Sequence, residues 1–549
     1  MERRFDSLYK PLTKLLAGDL WRASCGRTGS GVWYYRLAVA FFKFPEHFST
    51  KGPKSMKSMN KFHWTLVTAV AVSVVFATTV FAQSIGTDDV KKSLRKAVEF
   101  YCNHVSTEGG YLWKYSADLA HREGENPADD QTVWVQPPGT PTIGLAFLRA
   151  YRVTGDRYYL EAASAAGHCL VLGQLESGGW TYLISFDEAN RKRYNYRVDR
   201  NTQTARLRNT STLDDDTTQA ALIFLMELDA ALEFKDRVIH ESVQYGLEKL
   251  LDAQFPNGAF AQGFTGEQRD PTKHPILKAS FPSEGTEPTR ERDYWKFYTF
   301  NDNLALDVNR VFFAAAEVYG TEKDGNLVRN EKYVNAAKKM GDFIIDAQMP
   351  QPQPIWAQQY DFNMRPCWAR RFEPASVTGG ESQGVITAMI ELYRFTGEKK
   401  YLAPIPAAIE YFERSRLPSG KVARFYEMRT NRPLYMTKEY ELTYSDADVP
   451  THYAFSVNLG SWPIDELLNM DEPTRLRQLS DFQTRYRNRS LPRPNDRVVA
   501  EVLRSLDERG AWVTNGTLRS APDKGRTLVI DNYVFVRNVN VLLAFLSKQ

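Results

Sequence analysis

Residues 423–433 concentrate side chains that bind acidic groups. Three arginines, a tyrosine and a glutamate occur in this segment, among them Arg424, Tyr426 and Arg432. Arginine keeps its charge near neutral pH and presents a rigid fork of hydrogen-bond donors. Beside an aromatic ring, such a cluster suits a planar anionic ligand, and sugars that bear carboxylates are ligands of this kind. A solvated, charged turn is the alternative interpretation.

Two further stretches combine aromatic residues with an acid. Asp302 lies between two asparagines at the start of a predicted helix, 304–319, so helix capping explains it as well as ligand binding does. Asp361 closes a run of aromatic residues that begins at Trp356, and arginines follow it. Carboxylates from two separate segments, with oxygen ligands only, are typical of a site for a hard cation such as Ca²⁺.

Three adjacent aspartates, Asp214, Asp215 and Asp216, precede the apolar helical pattern of residues 220–232. Aspartate caps helices, and acids are favourable at the positive end of the helix dipole. Capping alone is therefore one interpretation. Three acids exceed what one cap needs, so a role in lining a cleft or binding a cation is the other.

Residues 380–384 match the pattern Gly-x-Ser-x-Gly, which in α/β hydrolases holds a nucleophilic serine after a buried strand. The preceding residues, 373–378, do not read as such a strand. The sequence instead predicts the start of a helix that covers 384–395, with Glu381 or Ser382 capping it. Serine catalysis is therefore not expected.

One unit recurs along the chain at steps of roughly 70–95 residues, long enough for two helices and their loops. In each unit a helical pattern ends in a short loop that carries glycine and an aromatic residue, as at 108–113, 177–180, 256–260 and 509–512. Such self-similarity is typical of helical hairpins that stack around a shared core. It predicts a mainly helical α/α toroid over residues 83–549, with a final helix at 533–546.

Two polar segments, 187–212 and 265–292, interrupt this pattern. They are rich in Arg, Asn, Pro and Gly. We expect long irregular loops there, and loops of this kind often carry binding residues.

The first 82 residues have the features of a leader. A basic start at Met59, an apolar run and the small-residue site Val80-Phe81-Ala82 predict a signal peptide over 59–82, with Gln83 as the new N-terminus. Residues 1–58 do not resemble a folding unit and are interpreted as an upstream extension. The protein is therefore expected to be secreted or periplasmic.

Charge and cysteine content exclude several classes of protein. The first 82 residues hold twelve Lys and Arg against four Asp and Glu, so the whole-chain charge of +4 becomes about −4 after their removal. The basic balance is then no argument for nucleic-acid binding. Cys102, Cys169 and Cys367 are too few and too scattered for a disulfide framework or a zinc site.

Together, the segments around Asp302, Trp356–Asp361, 368–374 and 423–433 resemble the pectic acid lyases, polysaccharide lyase family 10. The resemblance extends over nearly all of the chain after residue 82 and is densest at 299–433. It implies a secreted pectate lyase that cleaves polygalacturonate by β-elimination, assisted by Ca²⁺, with an arginine as the base. It also implies a monomer that binds acidic polysaccharide and neither nucleic acid nor membrane.

The same resemblance implies roles for individual residues. Asp302 and Asp361 correspond to metal ligands, Arg432 to a catalytic residue, and the substrate-binding set comprises Asn303, Trp356, Arg424 and Tyr426. One position departs from the family pattern, because Lys438 stands where an arginine is expected. Lysine is a plausible base if burial lowers its pKa.

Two alternatives follow from the departure at Lys438 and from the acids. A relative with lost or altered activity would bind acidic polysaccharide without cleaving it. A hydrolase on the same fold would need two carboxylates about 5–9.5 Å apart.

Overall fold

The computed structural model describes residues 85–200, 207–488, 493–521 and 526–547. Of the two units into which the chain divides, the second is compact and comprises Thr87–Pro450 and Ala454–Gln549. The predicted signal peptide and upstream extension lie outside the described residues. All helices and strands of the described residues belong to the second unit.

Helices dominate the second unit. Its described α-helices are α1 (Thr87–Phe100, continued by the π-helical turn Tyr101–Val105), α2 (Thr140–Thr154), α3 (Arg157–Leu172), α4 (Glu188–Arg191), α5 (Thr217–Ala231), α6 (Arg237–Ala253), α7 (Leu304–Val318), α8 (Glu331–Asp346), α9 (Glu381–Thr396), α10 (Ile405–Arg414), α11 (Ile464–Leu468), α12 (Glu472–Asn488), α13 (Asp496–Arg504) and α14 (Asn532–Leu546).

The helices form hairpins with an inner and an outer member. In α5 every residue from Thr217 to Asp229 is buried, whereas α6 and α8 bury one face only. A helix that is apolar on all sides must be enclosed, and a one-sided helix covers it. Thus α2 pairs with α3, α5 with α6, and α7 with α8.

Inner helices pack side by side in chain order, α2 on α5, α5 on α7, and α7 on α9. The final helix, α14, returns to pack on α1 and α2, and α13 covers it. This arrangement is an α/α toroid, and the fold class predicted from the repeated units is confirmed. The predicted final helix agrees with α14 to within one residue.

The aromatic residues of the repeated loops anchor the outer helices. The indole N–H of Trp180 donates to the carbonyl of Leu170 in α3 at 2.8 Å. Trp356 donates in the same way to Ile344 in α8 at 2.7 Å, and Trp512 to Val502 in α13 at 3.0 Å. The repeated pattern therefore reflects a structural device, in which a loop tryptophan satisfies a carbonyl near the end of the outer helix.

Strands are short and antiparallel. They are β1 (Lys114–Ser116), β2 (Arg122–Glu123), β3 (Thr132–Trp134), β4 (Leu183–Ser185), β5 (Ser211–Thr212), β6 (Gly263–Phe264), β7 (Tyr298–Thr299), β8 (Thr321–Lys323), β9 (Asn326–Val328), β10 (Gln359–Tyr360), β11 (Val377–Thr378), β12 (Val422–Ala423), β13 (Phe425–Tyr426), β14 (Pro433–Met436), β15 (Leu442–Thr443), β16 (Ser456–Val457), β17 (Val513–Thr517) and β18 (Arg526–Asp531). Two sheets have four strands, in the orders β17-β18-β1-β2 and β11-β13-β14-β15, and the others are pairs.

These strands gather loops at one end of the helices. Strands β5, β7, β11 and β18 lead directly into the N-termini of the inner helices α5, α7, α9 and α14. Since each hairpin returns the chain, the inner N-termini share one end, and the turns before α5 and α7 touch. Side chains in these turns are therefore brought together from distant parts of the sequence.

Within the described ranges, no helix combines the length and apolar composition that a membrane span requires. Cys102, Cys169 and Cys367 are all free thiols, and Cys169 is fully buried.

Candidate active site at the N-termini of the inner helices

The turns before α5 and α7 have the same construction. Asp215 and Asp216 have φ values of 50° and 58°, and Asp302 and Asn303 have 47° and 63°. Two consecutive left-handed residues that are not glycine are costly, and such strain concentrates at functional sites. Asp and Asn tolerate this conformation better than other side chains. The strained backbone of these two turns therefore indicates a functional role.

Helix capping does not explain these acids. The residues at the cap positions, Asp216 before α5 and Asn303 before α7, make no side-chain cap hydrogen bond. Elsewhere in this chain Asp156, Asp236 and Asn330 do cap their helices. The capping interpretation is wrong here, and the cation-binding alternative remains.

Three carboxylates meet where the two turns touch. One oxygen atom each from Asp214, Asp215 and Asp302 lies within 4.8 Å of the others. Burial and the neighbouring carboxylates of Asp215 and Asp214 raise the pKa of Asp302. Like charges this close disfavour ionisation unless a cation neutralises them. We call Asp214, Asp215 and Asp302 the acid triad.

Polar side chains from several segments hold the acid triad in place. The hydroxyl of Tyr182 donates to Asp214 Oδ2 at 2.8 Å, and the amide of Asn301 donates to Asp214 Oδ1 at 3.2 Å. The amide of Gln136, just before α2, donates to Asp215 Oδ2 at 2.9 Å. Such fixed orientation is typical of groups that surround a metal site.

The acid triad fits a hard cation. Ca²⁺ takes oxygen ligands at about 2.3–2.6 Å, so ligand oxygens on opposite sides of the ion are about 5 Å apart. Oxygen separations of no more than 4.8 Å and a donor set of oxygen atoms alone are compatible with this condition. A calcium site at the turn of Asp302 is therefore consistent with the structure, although its partners differ from those predicted.

Asp361 does not join Asp302. Its Oδ1 accepts from the backbone N–H groups of Asn363 and Arg365 at 2.9 and 3.0 Å, and its Oδ2 accepts from Thr289 and the Arg365 side chain at 3.2 and 3.3 Å. The residue is almost fully buried. We therefore correct the predicted pair: Asp361 stabilises a turn, and Asp302 lies with Asp214 and Asp215.

We expect Asp361→Ala to destabilise the protein by about 3 kcal/mol, because buried donors and a charged partner lose their acceptor. Chemical unfolding in urea measures this loss. The shift in melting temperature on adding Ca²⁺ should match that of the wild type. If the variant lost the Ca²⁺ response but kept its stability, Asp361 would be a metal ligand after all.

Arg370 borders the acid triad, and Arg424 is linked to it through Glu381, whose charge acts on Asp302. Arg370 Nη2 lies 3.0 Å from Asp214 Oδ2 and 3.6 Å from Asp302 Oδ2. Arg424 Nη1 pairs with Glu381 Oε1 at 2.8 Å, and its Nε donates to the carbonyl of Ala454 at 2.8 Å. Burial raises the pKa of Glu381, although Arg424 favours its charged form. Guanidinium groups at this position suit the carboxylates of a polyanionic ligand.

The structure brings Asn303 to this site but not two of the predicted binding residues. Asn303 lies against α9, where a Cβ on Gly384 would collide with its Oδ1. Trp356 is fully enclosed and Tyr426 nearly so, with the Tyr426 hydroxyl donating to the carbonyl of Ser415 at 2.5 Å. An enclosed ring has no face for a sugar, so both residues are better explained as parts of the core.

Ser382 is not a nucleophile. It is fully buried, accepts from the backbone N–H of Trp356 at 3.0 Å and donates to the carbonyl of the same residue at 3.2 Å. The observed α9 begins at Glu381, three residues before the predicted start, and the predicted cap is wrong, because Glu381 and Ser382 lie inside the helix and Gly380 is at the cap position. The expectation against serine catalysis agrees with these contacts.

Arg432 and Lys438 occupy the turns of two neighbouring hairpins. Arg432 lies between β13 and β14, exposed, with its guanidinium 3.3 Å from the ring centre of Tyr444. Lys438 lies between β14 and β15 and pairs with Asp448 at 2.5 Å. That pairing raises the pKa of Lys438, contrary to the expected lowering by burial.

The turn of Lys438 contacts the segment that carries Arg370. Arg371 donates to the carbonyl of Glu439 at 3.1 Å, and the rings of Phe372 and Tyr440 have centres 5.8 Å apart. Lys438 therefore lies on a loop packed against the edge of the candidate site. The catalytic roles of Lys438 and Arg432 stay predictions.

A cleft of about 310 Å³ opens beside the acid triad. It is lined by Tyr182, Thr210, Thr212, Asp214, Gln262, Gly263, Tyr294, Trp295 and Arg370. Of these, Asp214 belongs to the acid triad and Arg370 contacts it.

The parallel between Thr-Leu-Asp-Asp-Asp at 212–216 and Thr-Phe-Asn-Asp-Asn at 299–303 is the sequence signal that could have identified Asp214 and Asp215.

Comparisons with known proteins identify the family of this region. Residues 174–422 match the family model described as pectic acid lyase. No functionally curated protein matches the sequence.

Solved structures with similar folds include two forms of a family 10 polysaccharide lyase from Cellvibrio cellulosa. One is 19% identical with a TM-score of 0.38, covering 58% of this chain and 92% of the lyase. The other, a mutant in complex with trigalacturonic acid, is 18% identical with a TM-score of 0.37, covering 58% and 94%.

A cellobiose 2-epimerase from Bacillus thermoamylovorans is 12% identical with a TM-score of 0.38, covering 84% of this chain and 99% of the epimerase. The family predicted from the sequence motifs is confirmed over residues 174–422, the part of the chain that matches the pectic acid lyase model.

Proposed function

We propose that this protein is a secreted pectate lyase that cleaves polygalacturonate by β-elimination with the help of Ca²⁺. The observation that carries the proposal is the acid triad beside Arg370 and Arg424, in a chain of the pectic acid lyase family. Acids alone would repel a polyuronate. Acids that hold a divalent cation, with arginines around them, attract it.

β-Elimination removes the proton on C5 of a uronate and forms a C4–C5 double bond as the bond from C4 to the glycosidic oxygen breaks. That oxygen leaves on the other sugar and takes up a proton there, so the cut gives one unsaturated end and one hydroxyl end. The C5 proton is weakly acidic, and its removal places negative charge on the adjacent carboxylate. Preorganised positive groups at that position stabilise the transition state, which is the largest contribution in many enzymes. A bound Ca²⁺ would supply Lewis-acid charge at the acid triad.

The chain's own residues divide these tasks. Asp214, Asp215 and Asp302 would hold the cation, and Gln136 and Tyr182 orient the first two. Arg424, already paired with Glu381, would bind a substrate carboxylate and position the sugar. Such binding before the reaction brings the C5 proton to the base.

The base is one of two residues. The family resemblance implies an arginine, which Arg432 supplies, whereas Lys438 stands where the family pattern has its arginine. Lysine loses its proton far more readily than arginine, whose pKa exceeds about 12. The contact between the Lys438 turn and the Arg370 segment favours Lys438.

The experiment is an elimination assay on polygalacturonate. Purified protein is incubated with the polymer in Ca²⁺ and in chelator, and the ultraviolet absorbance of the unsaturated uronate is followed. We expect absorbance to rise in Ca²⁺ and to stay flat in chelator. Binding of the polymer without any rise would favour the alternative, a relative that binds acidic polysaccharide without cleaving it.

A further inference from the structure

The cleft beside the acid triad has an aromatic wall that the reaction does not use. Tyr294 and Trp295 lie in a 3₁₀ turn, Tyr294–Lys296, that directly precedes β7 and hence the turn of Asp302. Both side chains are half-buried, and both line the cleft. They are therefore accessible to a ligand, unlike the enclosed Trp356 and Tyr426.

The turn that carries Trp295 is fixed by its neighbours. The side chain of Gln359 donates to the carbonyl of Tyr294 at 2.7 Å. Gly263 lies in β6 next to Trp295. A Cβ on Gly263 would lie 3.3 Å from Trp295 Cε3, so the absence of a side chain there lets the indole lie close to the strand. Lys296, 5.1 Å from the indole ring centre, pairs with Asp293 at 2.8 Å. A ring held on several sides loses little entropy when a ligand binds.

We propose that this cleft is a binding subsite for a hexuronate residue of the substrate, with Trp295 as its stacking platform. The inference rests on the proposed function and adds the residue that binds the sugar next to the metal-bound one. The cleft offers aromatic rings and a guanidinium group, and a uronate has an apolar face and a carboxylate. The aromatic wall offers a face to the apolar C–H surface of the sugar, and Arg370 offers a cation to the carboxylate.

Continuity with the acid triad supports this occupant. Asp214 lines the cleft and also belongs to the triad, and Arg370 pairs with it at 3.0 Å. A chain bound at the triad therefore enters the cleft with its neighbouring unit. The volume of about 310 Å³ is at the lower end for small-molecule sites, which suits sugars better than a large cofactor.

Trp295→Ala and Trp295→Phe test the subsite. A platform binds ground state and transition state alike, so its loss raises KM with little change in kcat. We expect Trp295→Ala to raise KM for polygalacturonate about tenfold, and Trp295→Phe, which keeps a ring, to raise it only about threefold or less. Both variants should melt near the wild-type temperature.

Phe234→Ala is the matched control, because Phe234 is an exposed aromatic just beyond the C-terminal end of α5, about 20 Å from the acid triad along the helix. It should leave KM unchanged. A wild-type KM for Trp295→Ala in an active enzyme would overturn the subsite and leave the lyase proposal standing.

Binding to polygalacturonate, measured by affinity electrophoresis in Ca²⁺, gives a second readout. Trp295→Ala should bind more weakly, and a neutral glucan should not bind at all. Equal retardation by the neutral polymer would overturn the uronate assignment. Neither cleavage nor binding of any polyuronate by the wild type would overturn both proposals together.

Discussion

Asp302→Asn should remove nearly all elimination activity, with a loss of about 10²–10³ in kcat/KM, because the cation and the charge it places on the substrate carboxylate are lost together. The substitution keeps the shape of the turn, since asparagine tolerates the left-handed conformation of Asp302. Activity on polygalacturonate in saturating Ca²⁺ measures the effect.

Thermal unfolding gives an independent readout of the same variant. Ca²⁺ at a hundredfold excess over its Kd should stabilise the wild type by about 2.7 kcal/mol, and this gain should disappear in Asp302→Asn. In chelator the variant should be at least as stable as the wild type, because burial and the neighbouring carboxylates raise the pKa of Asp302 and its charged form is unfavourable in the folded protein.

Asp236→Asn is the matched control for Asp302→Asn. Asp236 caps α6, and asparagine caps as well as aspartate does. This control should keep the wild-type activity and the full Ca²⁺ response. If Asp302→Asn kept the activity and the Ca²⁺ response of this control, the assignment of a metal site to the acid triad would be wrong.

The second large effect concerns Lys438. If its neutral amine is the base, kcat/KM should rise about tenfold per pH unit from pH 7, since the neutral fraction grows by that factor below the pKa. Lys438→Ala should lower activity by about 10²–10⁴ at pH 9, whereas Arg432→Ala should cost only a few-fold. A pH–rate profile of each variant measures this.

Asp448 provides the sharper arm of this test. Its hydrogen bond raises the pKa of Lys438, so Asp448→Asn should shift the pH profile towards lower pH and raise the rate near pH 8. Lys438→Arg should shift the profile the other way, because an arginine retains its proton to higher pH. If Arg432→Ala abolishes activity, and neither Asp448→Asn nor Lys438→Arg shifts the pH–rate profile, then Arg432 is the base.

The fold followed from the sequence because its signals are local and repeated. Apolar spacing placed α14 within one residue, and the spacing of the Gly-aromatic loops showed the hairpins. Helix starts were less accurate: α5 begins at Thr217 rather than 220, because Thr217 and Gln219 are polar residues that the packing nonetheless buries.

The site followed only in part, because its geometry depends on contacts between distant segments. Asp302 was predicted as a metal ligand, but local sequence does not show that Asp214 and Asp215 approach it. Asp361 was predicted as the second metal ligand because the hydrogen bonds from Asn363 and Arg365 that occupy it form only once the chain folds.

Aromatic residues posed the same difficulty. Trp356 and Trp295 both lie near acids and arginines in sequence. In the structure Trp356 is buried and donates to a carbonyl of α8, whereas Trp295 lines a cleft. Residue type cannot distinguish these two roles, since both need a large ring with one polar atom.

The most direct measurement of the central claim is cleavage of polygalacturonate in heavy-oxygen water with Ca²⁺ present, followed by mass analysis of the products. Elimination uses no water in bond cleavage, so we expect each cut to give an unsaturated end without heavy oxygen at the glycosidic oxygen, and no cleavage in chelator. Saturated products that carry heavy oxygen at every new reducing end would show hydrolysis by the paired carboxylates and would contradict the account.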